Sequence, residues 1–263
     1  ITGTEILQNY TSADCPNPNG TVTCPFPTIR GALENTQTGD SILVKDGRYS
    51  EVIFKELFNQ SYETNGPKIT IRGESSNVIL DGTVALTANW QLINGRYEAL
   101  VDMNQLSRSA NTKVEYIYCL WIDDRYMIPA MPVTFTNPSD VSTSTQNNPE
   151  IGTVFAKNLT APYEYHTMVQ DEYIVGDINN LDAIEEWTFD EVNKKLYLIP
   201  GDKIPDSANV RVRVRTKIVN IEFSDNLEFK NLHFFAGAFN FYKASYILLE
   251  DSIFSHSWEA GMS

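Results

Sequence analysis

Carboxylates, a histidine and an aromatic ring crowd one short stretch of this 263-residue chain, where Glu250, Asp251, His256, Trp258 and Glu259 stand close together. Two carboxylates held across a groove can act as acid and base on a glycosidic bond. Against that use, Asp251 takes the place that Asn231 holds twenty residues earlier, which points to service in a turn or a stack. His256 is expected at an exposed turn on the same argument. A second candidate is Val210-Arg211-Val212-Arg213-Val214-Arg215, whose alternation puts three arginines on one strand face and three valines on the other. Arg211, Arg213 and Arg215 would suit an acidic sugar, although a solvated face pairing with the many carboxylates is the preferred reading. The acidic doublets Asp123-Asp124, Asp171-Glu172 and Glu185-Glu186 lack the ligand spacing of a calcium loop, so no metal is assigned. Phosphate-loop, nucleophile-elbow and zinc motifs are absent from the sequence, and no cofactor is expected.

Charge narrows the partners further. A net charge of −14 and a pI near 4.6 oppose nucleic acid and anionic membrane surfaces. No apolar run approaches the roughly 20 residues of a spanning helix. Cys15 and Cys24 bracket the turn-rich PNPNGTVT, a spacing that suits a small disulfide loop, whereas Cys119 sits among apolar neighbours as a buried thiol. Asn9, Asn19, Asn59 and Asn158 begin N-glycosylation sequons. About that many arise by chance in a composition so rich in Asn, Ser and Thr; they gain weight if the disulfide places the chain outside the cell. The chain begins at Ile1 without a basic or apolar leader, as a mature form or a fragment would.

The stretch Phe26–Phe54 would position everything that follows. Ile29, Ala32 and Leu33 share one face of a helix expected over Thr28 to Thr36, Gly39-Asp40 forms a turn, and Ile42–Val44 and a run through Tyr49, Val52, Ile53 and Phe54 read as strands. Further strands are expected at Ile69–Ile71 and Val78–Leu80. Helix, turn, strand, turn, strand resembles the N-terminal entry of right-handed parallel β-helix proteins, the pectate-lyase-like superfamily, in which such a helix plugs the open first coil. The physical need is plain, since a terminal coil leaves apolar surface and backbone groups uncovered. Leu120-Trp121-Ile122-Asp123-Asp124-Arg125 with Pro129, and Trp187-Thr188-Phe189-Asp190 with Lys195 to Pro200, resemble the β-rich insertion of secreted β-helix proteins related to glycoside hydrolases. Near the end a period of twenty residues aligns Ile221, Leu227, Phe229, Asn231 and Phe234 with Phe241, Ile247, Leu249, Asp251 and Phe254.

The expected fold is therefore all-β: a right-handed parallel β-helix with an N-terminal capping helix and an inserted β-rich subdomain. Residues 1–25 form an N-terminal arm, 26–86 the capping helix and first coils, 87–210 the insertion, and 211–263 later coils that continue or are covered by a partner. The resemblance implies carbohydrate contact, for which Arg211, Arg213, Arg215, His256, Trp258 and Glu259 are candidates, and an extracellular or cell-surface location. Two functional readings follow from it. The first is a non-catalytic, glycosylated protein of a matrix, wall or surface filament that stacks end to end; the alternative is a secreted polysaccharide-degrading enzyme, hydrolase before lyase, with most catalytic coils beyond residue 263. Partners are N-linked glycans or polysaccharide and further copies of the chain, with no nucleic acid and no membrane.

Overall fold

A computed structural model describes residues 4–6, 19–21, 24–56, 67–106, 117, 119–130, 178–215, 217–256 and 260–261. In chain order the strands are β1 (Thr4–Ile6), β2 (Ser41–Val44), β3 (Gly47–Tyr49), β4 (Ile53–Glu56), β5 (Ile69–Gly73), β6 (Val78–Asp81), β7 (Thr83–Ala85), β8 (Gln91–Ile93), β9 (Arg96–Leu100), β10 (Leu120–Ile122), β11 (Arg125–Pro129), β12 (Glu186–Asp190), β13 (Lys195–Ile199) and β14 (Val210–Arg213). They continue as β15 (Lys217–Glu222), β16 (Asp225–Lys230), β17 (His233–Phe235), β18 (Ala238–Tyr242), β19 (Ser245–Glu250), β20 (Ile253–Ser255) and β21 (Ala260–Gly261). Among the described residues the only α-helix is α1 (Ile29–Glu34), so the protein is all-β. The chain divides into two compact units, Ile1–Thr83 with Arg215–Ser263, and Val84–Val214.

Among the described residues of the first unit the named strands pair in parallel. One sheet runs β1-β2-β5-β16-β19, a second β20-β17-β6-β3 and a third β21-β18-β15-β4. Consecutive strands β16, β17, β18, β19, β20 and β21 visit the first, second and third sheets in rotation, twice over. The twenty-residue period is the register itself: Ile221 pairs with Phe241, Leu227 with Ile247, Phe229 with Leu249 and Phe234 with Phe254. Alternation in β2, β5 and β16 sends Ile42, Ile71 and Phe229 inward at 0% exposure. Phe234 stacks on Phe254 at 5.1 Å and meets Phe239 edge-on at 4.7 Å.

Left-handed backbone, at the corners between sheets and at the second residue of β16 and β19, repeats with the same period. Phe223 and Lys243, Asn226 and Tyr246, Asn231 and Asp251, and Ala236 and His256 all have φ between 48° and 57°. Left-handed backbone is costly for residues such as Phe, Lys and Tyr. Its recurrence at matched positions shows that the stacked strands impose it. Asn240 donates to Asn220 at 2.6 Å, a side-chain bridge between successive turns at matching positions.

The helix is shorter than the sequence pattern predicts, six residues rather than Thr28 to Thr36. Thr28 is its N-cap, with Oγ1 accepting from the Gly31 amide at 2.9 Å, while Asn35 Nδ2 and Thr36 Oγ1 donate to the Gly31 and Leu33 carbonyls and end it. Glu51 takes the amides of Ile29 and Arg30 at 2.9 and 3.1 Å, so a residue between β3 and β4 pins the helix start. Ile29, Ala32 and Leu33 are buried in the core of this unit.

Gly82 and Arg215 mark where the chain leaves and re-enters the unit. The Arg215 amide donates to the Gly82 carbonyl at 2.9 Å, and the Gly82 amide to Phe235 at 2.9 Å. A Cβ on Gly82 would lie 2.2 Å from the Ala236 carbonyl oxygen. Beside it, Asp81 is fully buried and saturated by Arg48 Nη1 at 2.6 Å and by the Thr83 amide and hydroxyl, both at 2.7 Å.

The second unit holds an eight-stranded sheet in the order β7-β14-β10-β11-β12-β13-β9-β8. β14 with β10, β10 with β11, β12 with β13, β13 with β9 and β9 with β8 pair antiparallel while β11 pairs parallel with β12, giving a mixed sheet. Trp187, Phe189, Leu120, Ile122, Leu196, Leu198, Val210, Val212 and Val214 fill its core.

Candidate functional site

The outer face of the five-stranded sheet carries a concavity. Leu43 pairs in register with Arg72, Arg72 with Lys230, and Lys230 with Glu250, so four outward side chains cross four strands in one row. Their sequence neighbours Ile42, Ile71 and Phe229 point into the core, which is why these four face out. Just beyond the row, Gly73, Glu74, Asn231 and Asp251 turn the chain. Together Leu43, Arg72, Gly73, Glu74, Lys230, Asn231 and Asp251 line a groove of about 550 Å³.

Two contacts build its floor. A Cβ on Gly73 would fall 2.1 Å from the Asn231 carbonyl oxygen, so only glycine permits this approach. Asn231 Nδ2 in turn donates to the Gly73 carbonyl at 3.1 Å. The charges are arranged unevenly. Lys45 pairs with Glu74 at 2.8 Å; Lys230 pairs with Glu250 at 2.8 Å and lies 3.9 Å from Asp251. The Glu250 hydrogen bond holds the Lys230 ammonium above its ordinary pKa. Arg72, exposed, makes no ion pair and no side-chain hydrogen bond within the described structure.

The residues expected from sequence are scattered. Asp251 lines the groove but has φ +48, matching Asn231 at +53, so it serves the corner as well. His256 corrects the expectation of an exposed turn: it does occupy a corner, at φ +56, but is half-buried with its ring 5.0 Å from Phe235. Arg213 is a second correction. It is only 9% exposed and hydrogen-bonds the Cys119 thiol, which Tyr126 also contacts, so its guanidinium is committed inside the second unit rather than offered to a sugar chain. Burial pushes the Cys119 thiol up to about 11 and raises Tyr126 as well. Arg211 is half-buried on β14, and Arg215 lies half-buried near Glu51, whose carboxyl is raised by burial despite the two amides and the Arg215 charge.

Asn19 is exposed, its Oδ1 accepting from the Thr21 amide and hydroxyl at 3.2 and 2.9 Å. Cys24 is disulfide-bonded and Cys119 is a free thiol. Asn9, Asn59, Asn158, Cys15, Trp258 and Glu259 lie outside the described residues. No group of His, Cys, Asp and Glu among the described residues is placed to hold a metal ion. Sequence reasoning missed Arg72, Glu74 and Lys230. The signal was present in the alternation of Ile69-Thr70-Ile71-Arg72 and in the twenty-residue step from Lys230 to Glu250.

No family model matches the chain, and no curated protein matches it. Two solved structures are similar in fold. One is described as a glycoside hydrolase, with TM-score 0.56 and 14% identity, covering 89% of this chain and 50% of the other. The other is XylC in complex with xylose, with TM-score 0.52 and 13% identity, covering 96% of this chain and 40% of the other. The chain thus spans half or less of the length of the proteins it resembles, and at these identities the likeness is one of fold.

Proposed function

We propose that the chain forms coils of a right-handed parallel β-helix belonging to a carbohydrate-active enzyme of the glycoside hydrolase type, with a polysaccharide lying along the outer face of the five-stranded sheet. The rotation of strands through three parallel sheets supports the β-helix, and parallel crossovers are right-handed in about 98% of cases. The observation that carries the function is the groove with a carboxylate on either side, Glu74 after β5 and Asp251 after β19. These strands are separated by β16, two ladder steps or roughly 10 Å of backbone, enough for a sugar unit between two carboxyl groups. The fold likeness favours this enzyme reading over a non-catalytic filament protein, although fold alone never decides function. The disulfide at Cys24 supports an oxidising, extracellular setting.

The test is reducing-sugar release from a panel of β-linked polysaccharides, xylan included, by the native protein and by its Glu74→Gln and Asp251→Asn variants. Loss of an acid or base is expected to lower kcat about 100-fold or more, with KM little changed. Variants that hydrolyse at the wild-type rate would remove these two residues from the mechanism; no hydrolysis of any polysaccharide would remove the enzyme reading.

Self-association remains a second proposal. It is supported by core-type positions left open on β19 and β20, where Leu249, in register with Phe229, and Phe254, in register with Phe234, are 36 and 45% exposed. Light scattering on residues 1–263 and on a Leu249→Ser, Phe254→Ser double variant tests it. Concentration-dependent growth in size that the double variant abolishes is expected, and a monomer in both would end the idea.

A further inference from the structure

Within the groove every carboxylate is matched by a lysine. Glu74 has Lys45, and Glu250 and Asp251 share Lys230. Arg72 alone stands unmatched, in a chain with 34 acidic and 20 basic residues. Chance placement would more readily leave a carboxylate over than a guanidinium. The β5–β16 register sets Arg72 directly beside Lys230, roughly 5 Å away along the ladder. Lys230 holds Asp251 only loosely, at 3.9 Å. Two neighbouring cations, one unpaired and one with a weak contact to give up, form a site for a single planar or tetrahedral anion. A guanidinium fork suits such a group better than an ammonium does, because it binds two oxygens at once.

We propose that Arg72, with Lys230, recognises an acidic substituent, carboxylate or sulfate, on the sugar chain that occupies this groove. The inference rests on the carbohydrate reading above and goes beyond it: the site selects an anionic polysaccharide over its neutral counterpart. Because the chain's net charge repels anions at long range, recognition depends on this local pair, and it weakens as added salt screens an exposed contact.

The probes are three xylo-oligosaccharides of equal length, one unsubstituted, one carrying glucuronate and one sulfated, titrated into the native protein by calorimetry. The quantity read is the ratio of acidic to neutral affinity. Charge-assisted two-point contacts predict a ratio of about 10 to 100 in the wild type, falling towards one in Arg72→Gln and partly restored in Arg72→Lys. The same ratio should shrink between low and high salt, and whichever acidic probe binds tighter identifies the source of the charge. A wild-type ratio near one, or a ratio that survives in Arg72→Gln, overturns the inference. If the neutral probe still binds in that case, the carbohydrate reading stands without it; if no probe binds, both fall. Far-UV circular dichroism of the variants excludes misfolding, to which this exposed side chain should contribute little.

Discussion

Replacing Phe234 by alanine is the sharpest test of stacked turns as the source of cohesion. The ring is 1% exposed, in register with Leu80 on one side and Phe254 on the other, stacked on Phe254 and edge-on to Phe229 and Phe239. A buried phenylalanine removes roughly 150–200 Å² from water, which at about 25 cal/mol per Å² represents roughly 4–5 kcal/mol. The retained Cβ lowers that figure, and lost ring contacts and the unfilled cavity raise it, so about 4 kcal/mol is expected. Phe254→Ala is the internal control. It has the same chemistry one turn later, but at 45% exposure it has only about half the area to lose and leaves no closed cavity; about 1–2 kcal/mol is expected. Urea denaturation followed by far-UV circular dichroism reads both. If the two variants are destabilised equally, or Phe234→Ala costs less than Phe254→Ala, burial within the stack is not what stabilises this unit.

Three further outcomes follow from single contacts. Gly82→Ala should destabilise by more than about 2 kcal/mol, because the new methyl meets the backbone carbonyl of Ala236 rather than a side chain that can swing away; a midpoint in urea equal to wild type would refute the close approach. Glu51 is raised by burial, so the folded state binds its proton more readily than the unfolded chain does. Stability should therefore fall as pH rises from the ordinary carboxyl value of 4.5 through the raised folded value, and Glu51→Gln should flatten that slope; an unchanged pH profile would contradict the assignment. Cys119, protonated and enclosed, should resist a disulfide reagent at pH 8 in the native protein and react promptly in guanidinium. Rapid native reaction would show the thiol to be accessible.

Strand positions, inward faces and the twenty-residue step were legible without coordinates, because alternation and repeat are local properties of the chain. Helix α1 was legible too, through Thr28 and the spacing of Ile29, Ala32 and Leu33, although its length was overestimated because Asn35 and Thr36 turn back on the last carbonyls. A run read as one strand through Tyr49 and Phe54 divides into β3 and β4, since hydrophobicity does not reveal a corner between them. Periodicity also put Arg213 on the outer face of its strand but could not say that this face is enclosed. The groove lay beyond sequence altogether. Leu43, Arg72, Lys230 and Asp251 meet only because β2, β5, β16 and β19 stack in one register, and that register joins residues as far apart as Thr70 and Glu228, whose side chains bond at 2.8 Å across 158 positions. A single chain states which way each side chain points; which distant side chain it meets is fixed by the order in which strands pair, an outcome of packing the whole core at once.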